Sequence, residues 1–411
     1  MNFFLRLKIF LLVIIVSPKV IGQNIFLTDT SISYDYVYSN QTISRLDIGG
    51  VAFLKSTNLS NDTLLYADFS VDTVFNKGNF RNTIFLSGVG FIESEFRDSA
   101  IFSNANFSHD VFFSSGRFLK IVDFSHATFS RKAFFYNVRF GKIAHFNNLF
   151  LTDSSDFKFD GAVFPDTINF SYNSKIPNEI DLITANFTDP TRYNRDSDKY
   201  IRPHFIYLYK SDISKFHIDY IHFKLINDST LDFPKKKIPN DEIESIYQAL
   251  LNNFKTRGQD ESYKLLDIEY QKFKWKNSWA WWLTWLPEVW WNFGYDKEYI
   301  FVWTFFLIFI FTSITFFWLN YLNQKVYKVE QVPLLWHRKN VSLFAKNKLA
   351  RQEFGKRVWY SFVYTSTIFF RLTLKIENIN FKEKGGTFYL IILFTVGIIC
   401  LAYMANFVLQ H

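Results

Sequence analysis

The chain has 411 residues, 48% of them hydrophobic, 20% aromatic and only 20% charged. That length points to two or three folding units, and so many rings exclude disordered and fibrous classes. A single cysteine, Cys400, excludes a disulfide framework and cysteine-based zinc or iron–sulfur centres, while a net charge of +8 points to nucleic acid only if it is spread over a folded surface.

Residues 1–22 read as a signal peptide: Arg6 and Lys8, the apolar run Ile9 to Val16, then the small-residue end Val20-Ile21-Gly22. The alternative is an uncleaved anchor. Either one exports the segment that follows.

A β-helix is expected over 45–174, because phenylalanine recurs at Phe85, Phe91, Phe96, Phe102, Phe107, Phe113, Phe118, Phe124, Phe129, Phe135, Phe140 and Phe146, in alternating steps of six and five. Two residues before each ring stands a small or β-branched residue, such as Ala100, Ala105, Val122 or Ala127. Neither a helix at 3.6 nor a strand at 2.0 has this period. A coil with short sides does, each side sending one small and one bulky side chain to the axis. A β-sandwich would instead show alternating runs between Gly/Pro turns. Runs such as Ala105-Asn-Phe107-Ser and Ala127-Thr-Phe129-Ser resemble the pentapeptide-repeat family, which implies a right-handed quadrilateral β-helix. About 115 residues carry the pattern, enough for about five to six coils and a rod of roughly 25 Å. His109, His126 and His145 read as solvated coil residues, since metal sites need converging donors.

Residues 175–235 suggest a closing strand layer that caps the open end. His217 and His222, five apart, do not share a strand face and are not expected to bind metal. A helical hairpin is expected over 240–275, opened by Asn240-Asp241-Glu242 and broken at Gly258. Seven of the eleven tryptophans fall in the segment 276–297 or just before it, from Trp275 to Trp291. Indole rings favour the headgroup zone, so the segment reads as interfacial; stacking on a carbohydrate is the other use of such rings.

Two transmembrane helices are expected, at 298–320 and 387–409. The loop 321–357 between them carries nine Lys or Arg against Glu330 and Glu353, which places it in the cytoplasm and leaves the exported part nearly neutral. The charge therefore reports topology, and no nucleic-acid partner is expected. Segment 358–370, with Arg357-Val-Trp359 and Tyr364-Thr365-Ser-Thr367 around it, resembles the pore helix of two-transmembrane potassium channels, as found in bacterial proteins that join pentapeptide repeats to such a module. On that resemblance Thr365, Thr367, Thr373 and Lys375 are the pore-lining candidates. The potassium filter itself departs from the family: glycines that let successive carbonyls line a pore are missing from Thr373-Leu374-Lys375-Ile376, and Lys375 opposes cations.

No nucleophile elbow, phosphate-binding glycine loop or zinc signature is present, so neither an enzyme nor a cofactor is expected. The combined expectation is a multi-pass protein of the inner membrane with an extracytoplasmic β-helix. Its partners would be the lipid bilayer, further copies of the chain through the transmembrane helices, and a protein bound to the β-helix. A conducting channel, anion-preferring or non-selective, is the rival reading.

Overall fold

The computed structural model describes residues 21–28, 31–71, 73–188, 193–194, 199–200, 202–226, 238–333, 348–370 and 378–409. The expected signal peptide lies almost wholly outside them. The chain divides into two compact units, Met1–Tyr270 and Gln271–His411.

The first unit is a parallel β-solenoid of about 8 turns over residues 23–225. Four parallel ladders form its sides. In one, Asn106 and Phe107 pair with Ile84 and Phe85 on one flank and with Thr128 and Phe129 on the other. The two-slot pattern explains the shape. Phe85, Phe96, Phe107, Phe118 and Phe129 are all about 1% exposed, and small residues such as Ala100, Ala105 and Ala127 are fully buried beside them. Rings in successive coils stack face to face, as Phe91 does on Phe113 at 5.0 Å, and meet the rings of adjoining sides edge-on, as Phe91 meets Phe102 at 5.4 Å. Burying each such side chain contributes about 1.5–3 kcal/mol.

Sharp corners require backbone angles that most residues avoid. Asn40, Asn61, Asn82, Asn104, His126 and Asn148 form one ladder of left-handed corners, at φ between 54° and 61°. Gly50, Val71, Glu93, Ser115, Asn137 and Gly161 form a second, half a coil away. Asparagine tolerates this region because its short amide bonds locally, and Asn82 Nδ2 donates to Asn61 Oδ1 at 2.7 Å along the ladder. Gly141 marks a different constraint: a side chain there would collide with the Leu119 carbonyl of the preceding coil.

The solenoid runs past the expected 45–174 at both ends. At the start, Ile43, Leu46, Leu59 and Leu64 fill inward slots without phenylalanine. Beyond 174, the residues expected to form a separate closing layer instead continue the same ladders: Ile180 pairs with Phe216, and His204 to Ile206 with Phe223 to Leu225. Their inward residues Ile206, Leu208, Phe216 and Phe223 are buried like the phenylalanines before them, so any bulky apolar side chain propagates the coil.

The closing element is helical. Helix α1 (Asn240–Thr256) and helix α2 (Asp260–Lys276) flank Gly258, at φ +67°. Buried Asn253 donates to the carbonyls of Ile213, in a short helical turn, at 2.7 Å and of Phe216, in the strand that follows it, at 3.0 Å. Ser262 Oγ accepts from Tyr220 N–H, and Gln259 Nε2 donates to Ile218. Leu250, Phe254 and Leu266 are fully buried on the inward stripes.

The second unit holds helix α3 (Trp285–Trp291), helix α4 (Tyr299–Tyr321), helix α5 (Lys348–Phe369) and helix α6 (Lys384–Leu409). Two helices here, Tyr299–Val326 and Lys384–Phe407, are long and apolar enough to cross a membrane. They run antiparallel, since Phe301 meets Phe407 and Tyr321 meets Glu383. The pore-helix-like segment 358–370 is not a short free element: it is the C-terminal part of 22-residue α5, whose start lies in what was expected to be loop.

Candidate functional site

Three hydroxyls join the helices of the second unit. Thr365 on α5 donates to Thr315 on α4 at 2.9 Å, Thr315 lies 2.8 Å from the Tyr389 hydroxyl on α6, and Tyr389 donates to the Phe311 carbonyl at 2.9 Å. Thr315 and Thr365 are fully buried. Next to Thr365 on the same helix, Tyr364 donates to the Tyr327 carbonyl at 3.1 Å. Around them Leu319, Leu322, Ile368, Phe369 and Leu393 form an apolar core. In such surroundings a hydroxyl without a partner is unfavourable, so the network fixes the relative rotation of the three helices.

Helix α5 ends about halfway along the two long helices. Near its middle Arg357 donates to the Phe316 and Phe317 carbonyls, close to the C-terminal end of α4. At its end Phe369 packs on Phe311 and on Gly397, both near the middle of their helices. A side chain at 397 would strike the Phe369 carbonyl, so glycine is required for this approach. The chain then reappears at Asn380, which bonds the carbonyls of Val326 and Lys325 just beyond the same end of α4. Thus α5 enters between the two long helices and the chain returns to the side from which it came.

Of the four pore-lining candidates, Thr365 lies in the hydroxyl network and Thr367 is buried on the same helix. Thr373 and Lys375 lie outside the described residues. Ahead of α4, Trp279 is 87% exposed and Trp281, Trp282 and Trp285 are also exposed, while Trp303 of α4 donates to the Val289 carbonyl and stacks on Trp290. The segment therefore presents indoles outward from a base fixed to α4.

In the first unit the ladders bring His217 within 3.3 Å of Glu179 and 3.4 Å of Asp181, a juxtaposition invisible in the local spacing of the histidines. Arg257 of α1 reaches Glu179 at 3.1 Å and holds its carboxyl below the usual range, chiefly through that hydrogen bond. With a guanidinium already supplying the positive charge, the cluster is an ion-pair latch between the last coils and the capping helix. His222 is likewise engaged by Asp219, at 2.7 Å, and stacks on Phe187. A cleft of about 490 Å³ between Leu208–Ser214 and α1 is lined by Lys210, Asp212, Glu242 and Asn252 among others.

Thr315 and Tyr389 are not marked as site residues by the sequence, because each belongs to a long run dominated by apolar side chains. A signal is present: Thr312 and Thr315, three apart, with Ser313 between them, interrupt the apolar run of α4. Set against known proteins, the chain has no match among family models, curated proteins or solved structures.

Proposed function

We propose that the chain is a non-enzymatic, multi-pass inner-membrane protein of pentapeptide-repeat type whose extracytoplasmic solenoid offers a binding or assembly surface, carried on a channel-like membrane module that assembles with further copies of itself. The observation that supports it best is the hydroxyl network of Thr315, Thr365 and Tyr389, which engages the buried Thr365 hydroxyl of α5 in contacts inside one chain. A solenoid of regular coils supplies a long exposed face, and the basic connecting segment supports its export.

A conducting channel gated by the solenoid is favoured by one observation, that α5 ends about halfway along α4 and α6. Ion flux into liposomes containing the purified protein separates the two. The scaffold reading expects no flux above empty liposomes; a saturable, protein-dependent flux establishes the channel.

A further inference from the structure

Asp62 breaks the rule of the solenoid interior. Its register neighbours along the ladder are Thr83, Ala105 and Ala127, all in the small inward slot and all fully buried, and Asp62 is fully buried too. One carboxyl oxygen accepts the Gln41 N–H of the first coil at 2.7 Å, and the other is buried with no partner. The same end of the lumen holds two more buried, unpartnered hydroxyls, Thr57 Oγ1 and Tyr36 OH, on strands paired in register.

We propose that Asp62 is a proton-operated latch on the first coil: protonated, it closes the N-terminal end of the solenoid, and ionised, it releases that end. The groups around it make the mechanism specific. Tyr36, flanked by Tyr34 and Tyr38, is the titratable side chain that faces Asp62, and burial raises its own pKa, so it offers no charge. The charged residues on the neighbouring strands turn outward: Arg45 pairs with Asp47 at 3.2 Å, and Lys55 is exposed. No cation among the described residues compensates an ionised Asp62, and the Gln41 N–H is a single donor. Burial pushes the carboxyl up to about 7, against the opposing pull of that N–H.

Because the folded value lies above that of an exposed aspartate, closure is fully favoured below about 4 and is progressively lost as pH rises from there to about 7. Above that point the ionised carboxylate regains water only if the coil over it moves. The strands Ser31–Ile32 and Tyr36–Val37, each paired to Ala52–Asn58, are the ones that must give way.

Hydrogen exchange of the full-length protein in detergent tests this, read on peptides covering 31–58 and corrected for the intrinsic pH dependence of exchange. In the wild type the opening constant should rise about tenfold per pH unit between about 4 and 7 and level off above 7, while peptides covering 100–140 stay constant. Asp62→Asn should flatten the response. Asp62→Ala should do the same, and it fits the slot because Ala105 and Ala127 occupy its equivalents. A wild type without pH dependence in 31–58, or variants that keep it, overturns the proposal.

Discussion

Phe124 is the centre of the ring array and its replacement measures how much one slot contributes. The side chain is fully buried, stacked on Phe102 at 5.0 Å and on Phe146 at 5.1 Å, and met edge-on by Phe113 at 5.3 Å and Phe135 at 5.8 Å. Along its own column Leu59 and Leu208 fill the equivalent slot near the two ends, so leucine is compatible with the coil. Phe124→Leu should therefore destabilise by about 1–1.5 kcal/mol, and Phe124→Ala by about 3–5 kcal/mol, from lost transfer energy plus a cavity that the rigid neighbouring coils cannot fill. Phe124→Asp should exceed alanine by a further few kcal/mol, since the lumen offers a carboxylate neither a counter-ion nor water. In a solenoid each coil is supported only by its neighbours, so the damage should spread to the coils on either side. Hydrogen exchange on peptides covering 100–146 of the purified full-length protein follows the solenoid, and the tryptophans, all at or beyond Trp275, report separately on the second unit. The expected order is wild type, Leu, Ala, Asp, with exposed Arg131→Asp close to wild type. An aspartate variant as stable as the leucine one would refute the inward role of the ring.

Acid should weaken the opposite end of the solenoid. Glu179 is held below its ordinary pKa by Arg257, so the latch is intact above about 4.5 and is lost as pH falls through the lowered value; Arg257→Gln should move the acid onset of helix loss to higher pH. A double-mutant cycle between Thr365→Val and Thr315→Val in detergent unfolding should give a coupling of about 0.5–1.5 kcal/mol, and zero coupling would remove the hydroxyl network as an interhelical lock. A cysteine at Ser342 should escape an impermeant thiol reagent in intact spheroplasts, with Cys400 buried and silent; labelling would invert the proposed topology. If flux is observed, Lys375→Glu should shift the reversal potential in asymmetric KCl toward cations, and an unchanged value would take Lys375 out of the pathway.

The phenylalanine period made the solenoid legible because one residue type marks one inward slot. Where the chain uses Ile43 before the expected start, and Ile206 or Leu208 after the expected end, the physics is the same but the phenylalanine mark is gone, so the solenoid extends past 45–174 at both ends. The corner ladder from Asn40 to Asn148 was an available second signal, spaced by 21 or 22 residues up to Asn104. Asp62 escaped notice for the opposite reason: a carboxylate looks like a surface residue until the register places it under the first coil. In the second unit, length and apolarity identify α4 and α6, but the close approach of α5 to α6 depends on Gly397, which sequence alone does not distinguish from any other small residue in an apolar helix.

The coils of the solenoid are interchangeable in a way that ordinary domains are not. Ala100 stands in register with Val122 and Ile101 with Asp123, so removing residues 100–121 would join Ser99 to Val122 with every ladder still aligned. The helical seal at one end and the acidic latch at the other would both be untouched. Length is thus an independently adjustable property of this architecture, in increments of about 4.8 Å. A gene encoding such a rod can extend or shorten it by duplication or loss of 22 codons, which makes the solenoid a ruler whose span can be selected separately from what stands at either end.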